Sequence, residues 1–255
     1  MTSLAAGRRQ VIRAWHITAK DIRTYYLKPP LISWGMLFPV VLFLAFYLRD
    51  PGDMRAAIPG LIGMTVLFGA TSVEAVAIAF EKRIGAMERL LMAPIAPYTL
   101  VLAKTASGAV FGLATGLLTW ILSTLIWRLP LSLGGAVASI VILLLGSLIF
   151  ALMGVLLSLL VREVFDAMTL SNFFRFPMIF LCGVFVPVGA MAPLLRGIAS
   201  VLPLTYTVDG LRHVLLAGEG AYFPLWLDLV AAAGFAVLLY GLALMLLHHR
   251  LEEML

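Results

Sequence analysis

Two ionisable side chains stand deep inside apolar runs of this 255-residue chain: Glu74 in "FGATSVEAVAIAF" and Arg175 in "SNFFRFPMIFL". A lone charge at the centre of a hydrocarbon layer costs about 2.5–3.5 kcal/mol, so such residues face a partner or a water-filled space. Glu74 lies seven residues before Glu81, and Arg175 nine residues after Asp166. At about 1.5 Å per helical residue, both sit roughly 10–13 Å in from the same end. The two are expected to pair, within one chain or across a dimer. The pair serves either as a polar element of a transport route or its gate, or as an ion pair that orders the bundle. Phe173, Phe174, Phe176, Phe180 and Phe185 surround Pro177. On a helix broken or bent by the proline, these rings either line a route for hydrophobic or amphiphilic cargo or face lipid.

Catalytic chemistry finds no comparable foothold. His16, His213, His248 and His249 come from three regions, and the adjacent pair points about 100° apart on a helix, so no metal site is expected. The Ser, Thr and Asp residues show no nucleophile spacing. A phosphate-binding loop, G-x-x-x-x-G-K-[ST], needs a lysine in a glycine context; the lysines are Lys20, Lys28, Lys82 and Lys104, and none has it. No catalytic residue, metal or cofactor is assigned to this chain, and any ATP hydrolysis belongs to another polypeptide. Cys182 is the only cysteine, which excludes an intrachain disulfide and a cysteine metal cluster.

The elements that must position these groups belong to a membrane bundle. Hydrophobic residues make up 62% of the chain and charged ones 12%, with a mean hydropathy of +1.06, far from the composition of soluble domains. Apolar runs at 31–48, 57–80, 105–127, 133–161, 167–186 and 223–247 each approach the roughly 20 residues that cross about 30 Å of hydrocarbon as a helix. Lipid obliges each span to satisfy its own backbone, and the alternation of a membrane barrel is absent. The expectation is an all-α integral membrane protein, a single domain with six transmembrane helices.

With six spans, thirteen basic residues fall on the side of both termini and five on the other, so the positive-inside rule places both termini in the cytoplasm. The formal net charge of +5 and the pI near 9.6 follow from that topology and from anionic headgroups; no nucleic acid is implied. The first thirty residues carry Arg8, Arg9, Arg13, Lys20, Arg23 and Lys28 without a cleavage site after a short apolar core. No removable signal peptide is expected, and the first span inserts itself. Residues 1–30 mix these bases with Trp15, Tyr25 and Tyr26 and end at Pro29 and Pro30. They suit an amphipathic helix in the headgroup layer; a disordered basic tail is the alternative.

"FEKRIGAMERLLMAPIAP", residues 80–97, gathers five charges between the second and third spans. Ile84, Met87, Leu91 and Ile95 fall on one apolar stripe with Lys82 and Arg89 nearly opposite, which predicts an amphipathic helix of three turns over 82–96, ended by Pro94 and Pro97. Such a helix either lies on the membrane or sets its ridge into a groove of another protein. The order Glu81, Gly85, Glu88, Leu90, Leu91, Ala93, Pro94 resembles the "E-R-x-x-G-T-L-E-R-L-L-x-T-P" signature of the ABC-2 type transporter permeases, a group of drug and lipid exporters. Ala86 and Met87 replace the usual Thr-Leu, and Ala93 the common Thr. In that family the loop is the coupling helix, which docks into a cleft of the ATP-binding subunit. The resemblance therefore implies contact with an ATPase by Glu81, Arg83, Gly85, Met87, Glu88, Arg89, Leu91 and Pro94.

A second stretch, "LCGVFVPVGAMAPLLRGIASVLPLTYTVDGLRHVLLAG" over 181–218, is similar to the family's "S-G-x-F-F-P … P-L-T-Y-x-x-D-x-L-R" element. Gly183, Phe185, Pro187, Pro203, Leu204, Thr205, Tyr206, Asp209 and Arg212 match it, and Cys182 stands where serine is common. Its apolar pieces, 191–202 and 205–217, are too short to cross and are interrupted by Pro193, Pro203 and Gly210. Residues 189–217 are expected to form a re-entrant helical hairpin that caps the exit from the extracellular side; a plain loop with an interfacial helix is the alternative. Gly108, Gly112 and Gly116 line one stripe of the third span, where another helix can approach closely.

The resemblance implies two permease chains, as a homodimer or heterodimer, with two nucleotide-binding ATPase subunits that bind ATP and Mg, all in the lipid of the cell (inner) membrane. The function it implies is the membrane subunit of an ATP-driven exporter moving a drug, lipid or lipid-linked compound outward. A polysaccharide or lipo-oligosaccharide exporter shares the architecture. An ATP-independent carrier would carry an internal repeat or a ring of pore charges, and neither is found.

Overall fold

The computed structural model describes residues 2–26, 54–129, 131–161 and 163–252, together with Leu37, Val40, Val41, Leu44, Ala45 and Leu48. Among the described residues every regular element is helical: α1 (Thr2–Asp21), followed by a π-helical turn (Ile22–Tyr26), α2 (Met54–Arg83), α3 (Ala86–Met92), α4 (Pro97–Trp127), α5 (Leu133–Leu160), α6 (Val164–Leu181), α7 (Pro193–Ser200), α8 (Pro203–Leu215) and α9 (Leu225–Glu252). Among the described residues four helices are long and apolar enough to cross a membrane: Arg55–Arg83, Pro97–Trp127, Leu133–Leu160 and Leu225–His249. The fifth expected span, 167–186, corresponds to α6, which has 18 residues, carries Asp166 and Arg175, and does not meet that criterion. Of the first, 31–48, only the six positions named above are described; they are helical and their side chains are exposed. The remainder of that span, with Pro29 and Pro30, lies outside the described residues.

Two boundaries differ from the pattern in the sequence. Pro97 does not close the helix over 82–96; it opens α4, at the position where a missing N–H costs nothing. The third long helix therefore starts eight residues before the apolar run and takes in Lys104. The helix between the spans shrinks to the seven residues of α3, because α2 continues to Arg83 and Gly85 then adopts a left-handed backbone (φ 67°). Only glycine takes that conformation without a Cβ penalty. Pro177, expected to break or bend its span, sits inside the continuous α6.

α2 is the axis of the bundle. In its most apolar window 89% of residues are buried, against 11% for α9, so α2 packs on all sides and α9 forms a flank. α4, α5, α6 and α8 surround it. Close approach of α2 and α4 depends on small residues. A Cβ at Gly112 would lie 2.7 Å from Ala70 Cβ, one at Gly116 2.5 Å from Val66 Cγ2, and one at Gly108 2.4 Å from Glu74 Cγ. In the reverse sense, a Cβ at Gly69 would meet Thr115 Oγ1 at 2.6 Å. The glycine stripe thus seats α2 in α4. Outward-facing side chains such as Leu118, Leu125, Val230, Val237 and Met245 are apolar and exposed, as a lipid-facing surface requires.

Gly112→Ala is expected to destabilise the protein by about 1–3 kcal/mol through overpacking against the Ala70 backbone, read as a lower thermal midpoint in detergent. Gly241→Ala, where a Cβ meets nothing within 4 Å, should leave the midpoint unchanged or raised.

Candidate functional site: a charge clamp beside α3 and a locked hairpin

α2 ends in Glu81, Lys82 and Arg83, and successive helical side chains diverge by about 100°, so these three reach in different directions. Glu81 points inward and is fully buried. Lys104 of α4, 1% exposed, donates to Glu81 Oε2 and, at 2.8 Å, to Asp21 Oδ2 at the end of α1. Lys20 bridges the remaining oxygens, Asp21 Oδ1 and Glu81 Oε1. Two carboxylates and two ammonium groups cancel inside the fold. Burial alone would make the Lys20 ammonium less stable, but its hydrogen bonds to Asp21 and Glu81 outweigh that, and its pKa rises above the ordinary lysine value. The same junction is stitched by Thr18 Oγ1, which donates to the Ala103 carbonyl at 2.9 Å, and by Arg13, which donates to the Pro94 carbonyl.

Lys82 turns away from this cluster. Its Nζ donates to the carbonyls of Ser158 (2.6 Å), Leu159 (3.3 Å) and Val161 (3.0 Å), the acceptors left open at the C-terminus of α5. A cation there also complements the negative end of the helix dipole. Adjacent residues of one motif therefore tie the end of α2 to α1 and α4 on one side and to α5 on the other, immediately before α3.

The orientation of α3 reverses part of the sequence expectation. Met87 is buried and Leu91 and Ile95 half-buried, packed with Ile17 of α1, Leu100 and Val101 of α4 and Leu247 of α9. Three of the four stripe residues thus face the protein's own core and are not free to enter a partner, while Ile84 is exposed. Glu81, expected at the ATPase contact, is likewise internal. The surface that α3 and its flanks present outward consists of Arg83, Ile84, Arg89, Met92 and Pro94, all exposed; Gly85 and Glu88 are half-buried.

Glu74 and Arg175 are both buried but have separate partners. Ser107 Oγ donates to Glu74 Oε1 at 2.7 Å, while Arg175 donates from Nη1 to Ser72 Oγ (2.6 Å) and from Nε to the Ser171 carbonyl (3.2 Å), with its guanidinium 5.0 Å from the centre of the Phe68 ring. The expected direct pair is not among the ion pairs of the described residues, because each side chain finds hydroxyl or carbonyl partners on its own side of α2. Phe173, Phe176 and Phe180 point outward and are exposed, so within one chain they line no internal passage.

At the other end of α2, about 45 Å away for 30 residues, the second motif folds into two short helices, α7 and α8. α8 has 13 residues, too few to span, and is buried along most of its length. Four of the five polar residues of "PLTYTVDGLR" settle a backbone group; among the described residues the fifth, Thr207, has no partner for its hydroxyl. Thr205 Oγ1 donates to the Ala199 carbonyl and Tyr206 Oη to the Ser200 carbonyl, both at 2.6 Å, closing the last turn of α7. Pro203 starts α8. Asp209 accepts from the Tyr222 and Phe223 N–H groups at 2.8–3.0 Å, and Arg212 Nη2 donates to the Gly183 carbonyl at 2.9 Å. Gly183 itself has φ 79°, and Pro187 lies against Gly220. The element is a lock of buried polar groups.

Sequence reasoning missed Asp21 and the role of Lys20 and Lys104, which entered only as basic residues of an arm and a loop. The one local signal was Lys104 beside an apolar run, and its partners come from two distant elements. It also expected no metal-ligating group, whereas the fold brings His213 together with Asp209 and Asp228. The spacing of Asp209 and His213, four apart and so on one helical face, was visible; Asp228, from α9, was not.

The Lys104→Met variant, which leaves the buried Asp21 and Glu81 with only the partly exposed Lys20 as counter-charge, should lose about 3–5 kcal/mol. Combined with Glu81→Gln the loss should be less than additive, measured by a double-mutant cycle on thermal unfolding. Additive losses would rule out the clamp.

The sequence model of the ABC-2 type transporter matches residues 13–216, from α1 through the end of α8. The chain is 26% identical over 212 residues to the inner membrane transport permease YadH of Escherichia coli strain K12, covering 78% of this chain and 81% of that protein; YadH of Shigella flexneri matches to the same extent. It is 28% identical over 167 residues to the probable multidrug ABC transporter permease YbhS of Escherichia coli strain K12, covering 64% of this chain and 43% of YbhS. With both motifs acting as locks at the two ends of α2 and the family pattern running over most of its length, the chain belongs to the ABC-2 type transporter family and is an ABC-2 permease.

Proposed function

We propose that this permease is the membrane subunit of an ATP-driven exporter in which α3 and its flanks receive movement from a separate ATPase. Membership of the family makes the chain the membrane component of an ABC transporter in a multi-pass inner-membrane setting, and the family implies an ATP-binding partner. The observation that carries the finer reading is the stitching around α3. A force applied to Arg89 or Met92 enters a seven-residue helix whose apolar side is keyed into α1, α4 and α9. Just before that helix, Glu81 and Lys82 fasten α2 to α1, α4 and α5. Such a junction moves as a unit, so a small displacement of α3 is delivered to several membrane helices at once.

In this reading both termini and α3 are cytoplasmic, the α7–α8 hairpin is extracellular, and two permease chains combine with two ATPase subunits. The exposed rings of Phe173, Phe176 and Phe180 on α6 and the apolar helical positions Leu37, Val41, Leu44 and Leu48 supply surfaces for a second permease chain and for a hydrophobic or amphiphilic cargo between the two. A drug, lipid or lipid-linked compound fits such walls better than a polar solute.

In a Cys182→Ser background, with the ATPase co-expressed, cysteines at Arg89 and Met92 should cross-link to the ATPase, whereas one at Met87, 4% exposed, should not. Strong cross-linking at Met87 with none at Arg89 or Met92 would reject this orientation, and cross-links to lipid alone would reject coupling.

A further inference from the structure

The family pattern ends at residue 216, and just beyond it α9 brings a third acidic or imidazole side chain to the hairpin. Asp209 and His213 project from one face of α8, and Asp228 faces them from the first turn of α9. One potential ligand atom from each lies within 4.8 Å of the other two. Asp209 and Asp228 are 2% and 1% exposed, and His213 is half-buried. Asp209 is oriented by the Tyr222 and Phe223 N–H groups. The Phe223 carbonyl rests against His213 Nε2, the kind of backbone contact that fixes the ring of a ligating histidine. Asp228 is different: among the described residues neither of its carboxylate oxygens has a hydrogen-bond partner, and one of them lies in this cluster.

A buried carboxylate without a donor is costly, and two of them close together cannot both stay ionised unless a cation lies between them. That cation is either a proton or a metal ion. The imidazole, and the two lone-pair-bearing oxygens of Asp228, favour the metal. We propose that Asp209, His213 and Asp228 form a divalent metal site of the zinc class, which staples α8 to α9. One nitrogen and two carboxylate donors suit a borderline ion such as Zn²⁺ better than Ca²⁺ or Mg²⁺, which take six or more oxygens. Ligand bonds of about 2.0–2.2 Å draw the three groups together by a side-chain adjustment. Because the site lies at the far end of α2 from α3, it is independent of how the permease couples to ATP.

The test is binding of Zn²⁺ alone to the full chain, purified in detergent after chelation, followed by competition with a chromophoric chelator and by thermal unfolding. The wild type should bind one saturable Zn²⁺ per chain and gain thermal midpoint on binding. Asp228→Asn and His213→Gln should each weaken binding at least about tenfold and abolish the gain, while Asp166→Asn, an exposed carboxylate elsewhere, should change neither. If Asp228→Asn is not monodisperse by gel filtration, His213→Gln decides. Absence of saturable binding would overturn the site, as would binding that survives both substitutions, which would trace to the exposed His16, His248 and His249. A zinc-indifferent wild type that Asp228→Asn stabilises would identify a shared proton in place of the metal.

Discussion

The neutralisation of Asp21 and Glu81 by Lys104 is the interaction on which the rest of this permease depends. Removing two carboxylates from water is affordable only with opposite charge in direct contact, and here that charge arrives on a third helix. One ammonium group consequently fixes where α1 ends, where α2 ends and how deep α4 begins. Lys20 completes the charge balance from the partly exposed side. The short helix α3 follows two residues after α2 ends, so its position is set by the cluster more than by its own sequence, which at seven residues is too short to hold a helix alone.

Once that end is fixed, α2 can serve as an axis only if its neighbours come close along its whole length. Glycines supply the approach: α4 offers Gly108, Gly112 and Gly116, and α2 returns Gly69. In lipid there is no hydrophobic force between apolar helices, so contact area and interhelical hydrogen bonds must do the work. The Ser107–Glu74 and Ser72–Arg175 bonds fit this account. Both charged groups are held by hydroxyls on adjacent helices, so a buried acid and a buried base coexist in one bundle without meeting.

The hairpin end uses a different device. α7 and α8 are each too short to cross, and their ends would leave backbone groups exposed to an apolar setting. Thr205 and Tyr206 satisfy carbonyls at the end of α7, Asp209 the Tyr222 and Phe223 N–H groups just before α9, and Arg212 the Gly183 carbonyl just after α6. The motif therefore reads largely as backbone obligations met by side chains, while Asp228, beyond it on α9, keeps both carboxylate oxygens without a hydrogen-bond partner among the described residues. That carboxylate is what gives the α8–α9 contact a chemistry that the lock itself does not use.

The sequence by itself determined the class of the molecule. Its apolar composition, the length of its hydrophobic runs and two motifs in order pointed to a helical ABC-2 permease, because hydropathy and local spacing are properties of a single segment. It also marked Gly108, Gly112 and Gly116 as a packing stripe, since residues four apart share a helical face. Only the tertiary structure decided which charges meet. Glu74 and Arg175 share a depth but are partnered by different serines, and Lys104 proved to be the partner of residues 23 and 83 positions away. It likewise turned Met87 inward and Arg89 outward, for an amphipathic stripe says that one side is buried and not what buries it. Depth and periodicity are one-dimensional; a contact between helices depends on how each is rotated about its axis, and that is set by packing against neighbours.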